Sequence, residues 1–156
     1  MRTILILAGV LIILVAAFLF TQGIISNGIN PFAGKKATAT FDDKKITVLV
    51  AETDKEKQKG LSQRKSLPQN QGMVFVFDKP DYYPFWMKDM QFPIDIIFLR
   101  DNKIVTIHKN VKAPSAEGDN LVVYTPKEPA NQVLELNAGK ADEWKLQEGD
   151  TIQLSI

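Results

Sequence analysis

The sequence predicts a mainly β domain, a sandwich or barrel of about eight short strands with one or two short helices, preceded by one transmembrane helix. Three observations carry that expectation. From Ile4 to Phe20 no side chain is charged or strongly polar. Beyond residue 37, short apolar runs alternate with turn signals roughly every 8–12 residues. No helix-length segment separates those runs, which argues against a parallel α/β sheet.

The apolar run comes first. As a helix rising about 1.5 Å per residue, Ile4–Ile25 spans roughly 33 Å, against a hydrocarbon core of about 30 Å. Arg2 and the α-amino group precede it, and positive charge stays on the cytoplasmic side. Residues 1–25 are therefore expected to be the signal anchor of a single-pass protein in a prokaryotic cell membrane, partnering the bilayer through Ile4–Ile25. The N-terminus is then cytoplasmic and the domain extracytoplasmic. A cleaved signal peptide is the competing reading. Its apolar region is about 7–15 residues long, shorter than this run, although Thr21-Gln22-Gly23 is a passable cleavage site. A lipoprotein anchor needs a cysteine after the run, and the chain has none. A buried helix of a soluble protein fits poorly, because the run is apolar on every face.

Residues 26–37 mix Gly, Asn, Pro and Lys and read as a juxtamembrane tether. Residues 38–156 read as the extracytoplasmic domain. Its first strands are Thr38–Phe41 and Lys45–Ala51, around a turn at Asp42-Asp43. Ile46, Val48 and Val50 alternate with Thr47, Leu49 and Ala51, so both faces of the second strand carry apolar groups and it belongs near a sheet centre. Thr53 and Glu56 form a capping box for a short surface helix that stops at Gly60. Met73–Phe77 is the next strand, ended by Asp78-Lys79-Pro80-Asp81. Phe85–Lys88 and Ile94–Leu99 follow, separated by Gln91-Phe92-Pro93. Asp101-Asn102 turns the chain into Lys103–His108. Lys109–Asn120 is a long loop, Leu121–Tyr124 a short strand and Gln132–Asn137 a longer one. Ala138–Gln147 holds a helical turn with Trp144 inward. Glu148-Gly149-Asp150 turns into Thr151–Ile156.

Composition narrows the chemistry. With Arg2 set aside, 18 basic residues face 18 acidic ones, and a neutral domain has no electrostatic reason to bind nucleic acid. The absence of cysteine excludes disulfides, thiol nucleophiles and thiolate metal sites. The single histidine, His108, argues against metal–His hydrolases and reads as a surface residue near a strand end. No EF-hand spacing occurs, and Ser62, Ser66 and Ser115 lack a nucleophile-elbow context. No metal or cofactor is expected.

Two features stand out as candidate sites. The segment Tyr82-Tyr83-Pro84-Phe85-Trp86-Met87-Lys88-Asp89-Met90 carries aromatic groups able to stack on a sugar or a peptide. Phe85 and Met87 suit one buried face of a strand, leaving Tyr82, Tyr83 and Trp86 as candidate stacking residues. The second feature is charge inside apolar strands. Lys88 shares a face with Trp86, Asp95 with Ile97 and Leu99, Glu135 with Val133, and Glu52 with Val48 and Val50. Such groups must pair or reach water. They form either structural ion pairs or, with Arg64, a polar pocket. Lys88 and Asp95 are expected to meet across neighbouring strands, because the chain between them is short enough for a hairpin-like return.

Five blocks occur in order: Gly60-Leu61-Ser62-Gln63-Arg64, Gly72-Met73-Val74-Phe75-Val76-Phe77, Phe85-Trp86-Met87-Lys88-Asp89-Met90, Pro93-Ile94-Asp95-Ile96-Ile97-Phe98 and Val133-Leu134-Glu135-Leu136-Asn137-Ala138-Gly139, with Gly149-Asp150 near the end. From about Ile46 to Ile156 the chain resembles the family of domain of unknown function 192, also called uncharacterised protein family 0127. That family usually has methionine at the place of Ser62 and asparagine–threonine at the place of Asp89-Met90. The resemblance implies a compact, jelly-roll-like β fold, often behind a signal peptide or membrane anchor, and no established reaction. Arg64, Trp86, Lys88, Asp95 and Glu135 all fall in its motifs.

Three functional readings compete. The first is a membrane-tethered binding or accessory module for an envelope glycan, a peptide or a protein. The second is a hydrolase or lyase acting on an envelope polymer, with carboxylates drawn from Glu52, Asp95 and Glu135; it needs two of them in one pocket roughly 5–10 Å apart. The third is a structural subunit of a membrane complex, which needs a broad apolar patch.

Overall fold

Local turn chemistry sets the two hairpins of the fold, seen in a computed structural model that describes residues 34–115 and 122–156. Strands β1 (Lys36–Phe41) and β2 (Lys44–Ala51) pair antiparallel, with Phe41 opposite Lys44 across Asp42-Asp43. Strands β5 (Ile94–Arg100) and β6 (Lys103–Val111) are joined by Asp101 and Asn102, both at positive φ (53° and 70°). Two successive left-handed residues give the turn whose twist matches an antiparallel pair. The expected anchor and residues 26–33 of the expected tether lie outside the described residues, as does Leu121. The end of the tether is corrected, because Lys36 and Ala37 already belong to β1. Among the described residues no helix is long and apolar enough to cross a membrane.

Helix α1 (Asp54–Lys59) carries the expected capping box. Thr53 Oγ1 accepts from the Glu56 backbone N–H, and the Glu56 carboxylate accepts from the Thr53 N–H. The helix lies on a crossover from β2 to β3 (Gln71–Asp81), and these two strands run parallel. This single parallel pairing was hidden in the sequence because α1 is only 6 residues long. Residues 52–70 nonetheless supply the dozen or more residues that a parallel return requires. Strand β3 also runs on through Pro80 to Asp81, past the expected stop. Its pairing with β8 (Ala130–Asn137) shifts register between Val76 and Asp81, which accommodates the proline.

The main sheet has the order β6-β5-β8-β3-β2-β1-β9, with β9 at Gln153–Ser155. Strands β4 (Phe85–Trp86) and β7 (Val123–Tyr124) form a separate two-stranded ribbon. The 4-residue helix α2 (Lys140–Glu143) follows β8, and Trp144 is buried behind it. The segment before β9 reaches back to β6: Ile104 N–H donates to Asp150, Gly149 N–H to Ile104 and Ile152 N–H to Asn102, at 2.8–2.9 Å. The sheet therefore curls into a half-barrel. The described domain is mainly β, with nine strands and two short helices.

The concave core contains Val48, Val50, Val74, Ile97, Leu134, Leu136 and Trp144. The opposite face of the central strands is buried as well, through Leu49, Met73, Phe75, Ile96, Phe98 and Val133. Asp95 belongs to the concave side and is fully buried. Its Oδ1 accepts from the N–H groups of Asn110 (2.7 Å) and Gly139 (3.2 Å), and its Oδ2 from that of Ala141 (2.7 Å). Asp95 thus fastens the end of β6 to the start of α2. The expected Lys88–Asp95 pair is corrected: backbone amides take both carboxylate oxygens, while Lys88 is exposed.

Candidate functional site

Strand alternation builds the floor and one wall of a cavity on the convex side of the sheet. Glu135 lies on β8 between Met73 of β3 and Ile96 of β5, its register partners. Phe75 and Phe77 lie two and four residues along from Met73 and present the same face. Segment 83–90 passes over this face, and Phe85 packs edge-on against Phe75 (5.0 Å) and Phe98 (5.6 Å). Tyr83 stacks on Phe77 with ring centroids 3.7 Å apart and planes 13° from parallel, while its hydroxyl donates to the Lys79 carbonyl (2.9 Å).

The end of α1 closes the third side. Gly60, at φ 48°, ends the helix so close to the wall that a Cβ there would sit 3.3 Å from the Phe75 ring. This open cavity has a volume of about 230 Å³. Aromatic groups line it from β3 and from segment 83–86, and lysines line it from α1 (Lys57, Lys59) and from Lys88. The Lys57 ammonium lies 4.6 Å from the Phe77 ring centroid, a cation–π distance. Trp86 is 53% exposed.

Glu135 is the one acid lining the cavity among the described residues. It is 6% exposed, and its Oε2 is buried without a hydrogen-bond partner. Burial pushes its carboxyl up to about 8, so at neutral pH the group holds its proton and offers both a donor and an acceptor. Aromatic walls, a neutral carboxyl on the floor and ammonium groups among the lining residues suit a small ligand with an apolar face and polar substituents.

The sequence candidates are thus dispersed. Lys88, Glu135, Tyr83 and Trp86 line the cavity. Tyr82 is 54% exposed and stands outside that lining. Glu52 is at the surface, paired with Lys35 at 2.7 Å. Arg64 is half-buried on the segment after α1, where burial lowers its pKa. Asp95 is occupied on the concave side. The expected five-residue polar pocket is therefore not one site. Sequence reasoning missed Lys57, Lys59, Phe75 and Phe77 as lining residues. The alternation of Phe75 and Phe77 was visible, but the strand opposite them was not.

His108, expected at the surface, is half-buried. Its Nε2 donates to the Thr125 carbonyl at 3.0 Å, and its ring meets those of Phe98 and Tyr124 edge-on. Among the described residues no three His, Cys, Asp or Glu side chains cluster as a metal site would require.

Two solved structures share this arrangement of strands. A protein of unknown function from Novosphingobium aromaticivorans DSM 12444 is 29% identical, with a TM-score of 0.65 over 76% of this chain and 83% of that one. A protein from Sinorhizobium meliloti 1021, described as a candidate transcription regulator, is 28% identical, with a TM-score of 0.66 over 76% of this chain and 92% of that one. No curated protein matches the chain. Residues 37–154 match DUF192, described as "Uncharacterized ACR". That span covers nearly all of the folded domain, and the chain belongs to the DUF192 family.

Proposed function

We propose that the protein is a membrane-tethered extracytoplasmic binding module whose site is the aromatic cavity over Glu135. The observation that carries the reading is the buried Glu135 Oε2, which has no partner at the floor of a cavity walled by rings. A buried polar atom without a partner is costly, and a bound ligand would satisfy it. The tether is supported by the uncharged run Ile4–Phe20 behind Arg2. The two-carboxylate hydrolase reading loses support, because Glu52 is paired at the surface and Asp95 is filled by amides on the opposite face.

Binding is tested by thermal shift of the full chain in detergent micelles against envelope glycan fragments and short peptides. A ligand at 100 times its Kd adds about 2.7 kcal/mol of stability, and the shift should vanish in Glu135→Met and Trp86→Ala. A bound ligand indifferent to both changes would move the site elsewhere, and a silent screen would remove the reading. The tether is tested by adding protease to spheroplasts. Digestion of the domain is expected, and protection until lysis refutes the orientation.

A further inference from the structure

We infer that the ligand of this cavity is an acidic sugar unit, a ring carrying an anionic substituent. The inference rests on the binding reading above and adds the ligand's class from three independent features of the lining. The first is shape. About 230 Å³ falls below the roughly 300–1,000 Å³ of sites for drug-sized ligands, so the cavity takes one ring rather than a long segment. Trp86, half in solvent beside Tyr83 and Phe85, offers a flat face to the C–H side of such a ring.

The second feature is the floor. Glu135 meets apolar neighbours on both adjoining strands, Met73 and Ile96. A hydroxyl is donor and acceptor at once and pairs with a carboxyl in either protonation state. A purely apolar ligand would seal the cavity and leave Oε2 without a partner.

The third feature is charge. Lys57, Lys59 and Lys88 all line the cavity, and the one acid there is buried beneath them. A cationic ligand would meet three ammonium groups. An anionic substituent on the outer side of the ring would meet three attractive ones. Because these lysines border solvent, the attraction acts at the mouth and is screened by salt over a Debye length of about 10 Å at 0.1 M.

The test is calorimetric titration of the full chain in detergent micelles with matched probes: trigalacturonic acid against its uncharged methyl ester, and glucose 6-phosphate against glucose. Tetraglutamate serves as an acidic peptide. The acidic form of at least one sugar pair should bind about tenfold more tightly than its neutral partner at low salt, a gap of about 1.4 kcal/mol. The gap should narrow in K59Q/K88Q and in high salt, with the acidic form losing more affinity than the neutral one. Trp86→Ala should weaken both forms. Equal affinity for acidic and neutral forms overturns the inference and leaves the binding module standing. Binding of tetraglutamate alone does the same in favour of a peptide. Failure of every probe overturns the acidic-sugar assignment, and only a silent general screen as well would remove the binding reading.

Discussion

Glu135 and Asp95 show how differently two carboxyls in similar apolar runs are treated. Asp95 receives three backbone amides within 3.2 Å, whereas Glu135 has only burial acting on it, and burial raises its pKa to about 8. Folded Glu135 therefore holds its proton while the unfolded side chain, near 4.5, has lost it. Below the unfolded value both states are protonated and no penalty exists. Between the two values the native state binds more protons, so stability falls as pH rises, and above about 8 the penalty is constant. Glu135→Gln should abolish that slope. In urea titrations from pH 4 to 9 the variant should overtake the parent at the alkaline end by roughly a few kcal/mol; parallel curves would mean the carboxyl is ionised in the folded protein. For Asp95→Asn, an amide NH₂ would face backbone donors, and a loss of about 3 kcal/mol or more is expected. Lys88→Met should cost below about 0.5 kcal/mol, and the double variant should be additive. A coupling energy above that level in denaturant melts would restore the pair expected from sequence. The sequence showed that these charges were unusual but not their partners. Three backbone amides leave no trace in side-chain patterning, and an alternating strand does not reveal which strand lies opposite.

At the level of elements, legibility follows sequence separation. Both hairpins and α1 were readable because their determinants lie within a few residues: Asp101-Asn102 for the turn, Thr53 and Glu56 for the cap. The centre of the sheet was not, because β8 sits between β3 and β5 and joins segments far apart in the chain. Gly72 is where this centre closes most tightly. A Cβ there would lie 2.8 Å from the Glu135 carbonyl oxygen and 2.8 Å from Leu136 Cδ2. Backbone in a central strand cannot yield as a flexible side chain can, so Gly72→Ala should destabilise by about 1–3 kcal/mol. An unchanged urea midpoint would show that β3 and β8 can separate without cost. Thr53→Ala should cost about 1 kcal/mol through the lost cap. Because α1 supplies Lys57, Lys59 and Gly60 to the cavity, that loss should also weaken any ligand found there.

For the molecule as a whole, the described residues from Gly34 onward form one compact unit. That unit contains its own two-sided core, with Val48, Val74, Ile97, Leu134 and Leu136 on the concave side and Met73, Phe75, Ile96, Phe98 and Val133 on the other. A core of this kind is what independent folding requires. Residues 34–156 expressed alone should therefore melt cooperatively, with a β-type circular dichroism spectrum and without added metal. Folding should be slow for the domain's size, because the central pairs β5–β8 and β8–β3 are distant in sequence and loop-closure entropy precedes their contacts. The backbone links from Gly149 and Asp150 to β6, and from Ile152 to the turn before it, complete the curl, so truncation after Gln147 should expose both edges and lower the melting temperature markedly. A fragment 34–156 that melts without cooperativity, or folds only with residues 1–33 attached, would show that the amino-terminal segment belongs to the fold.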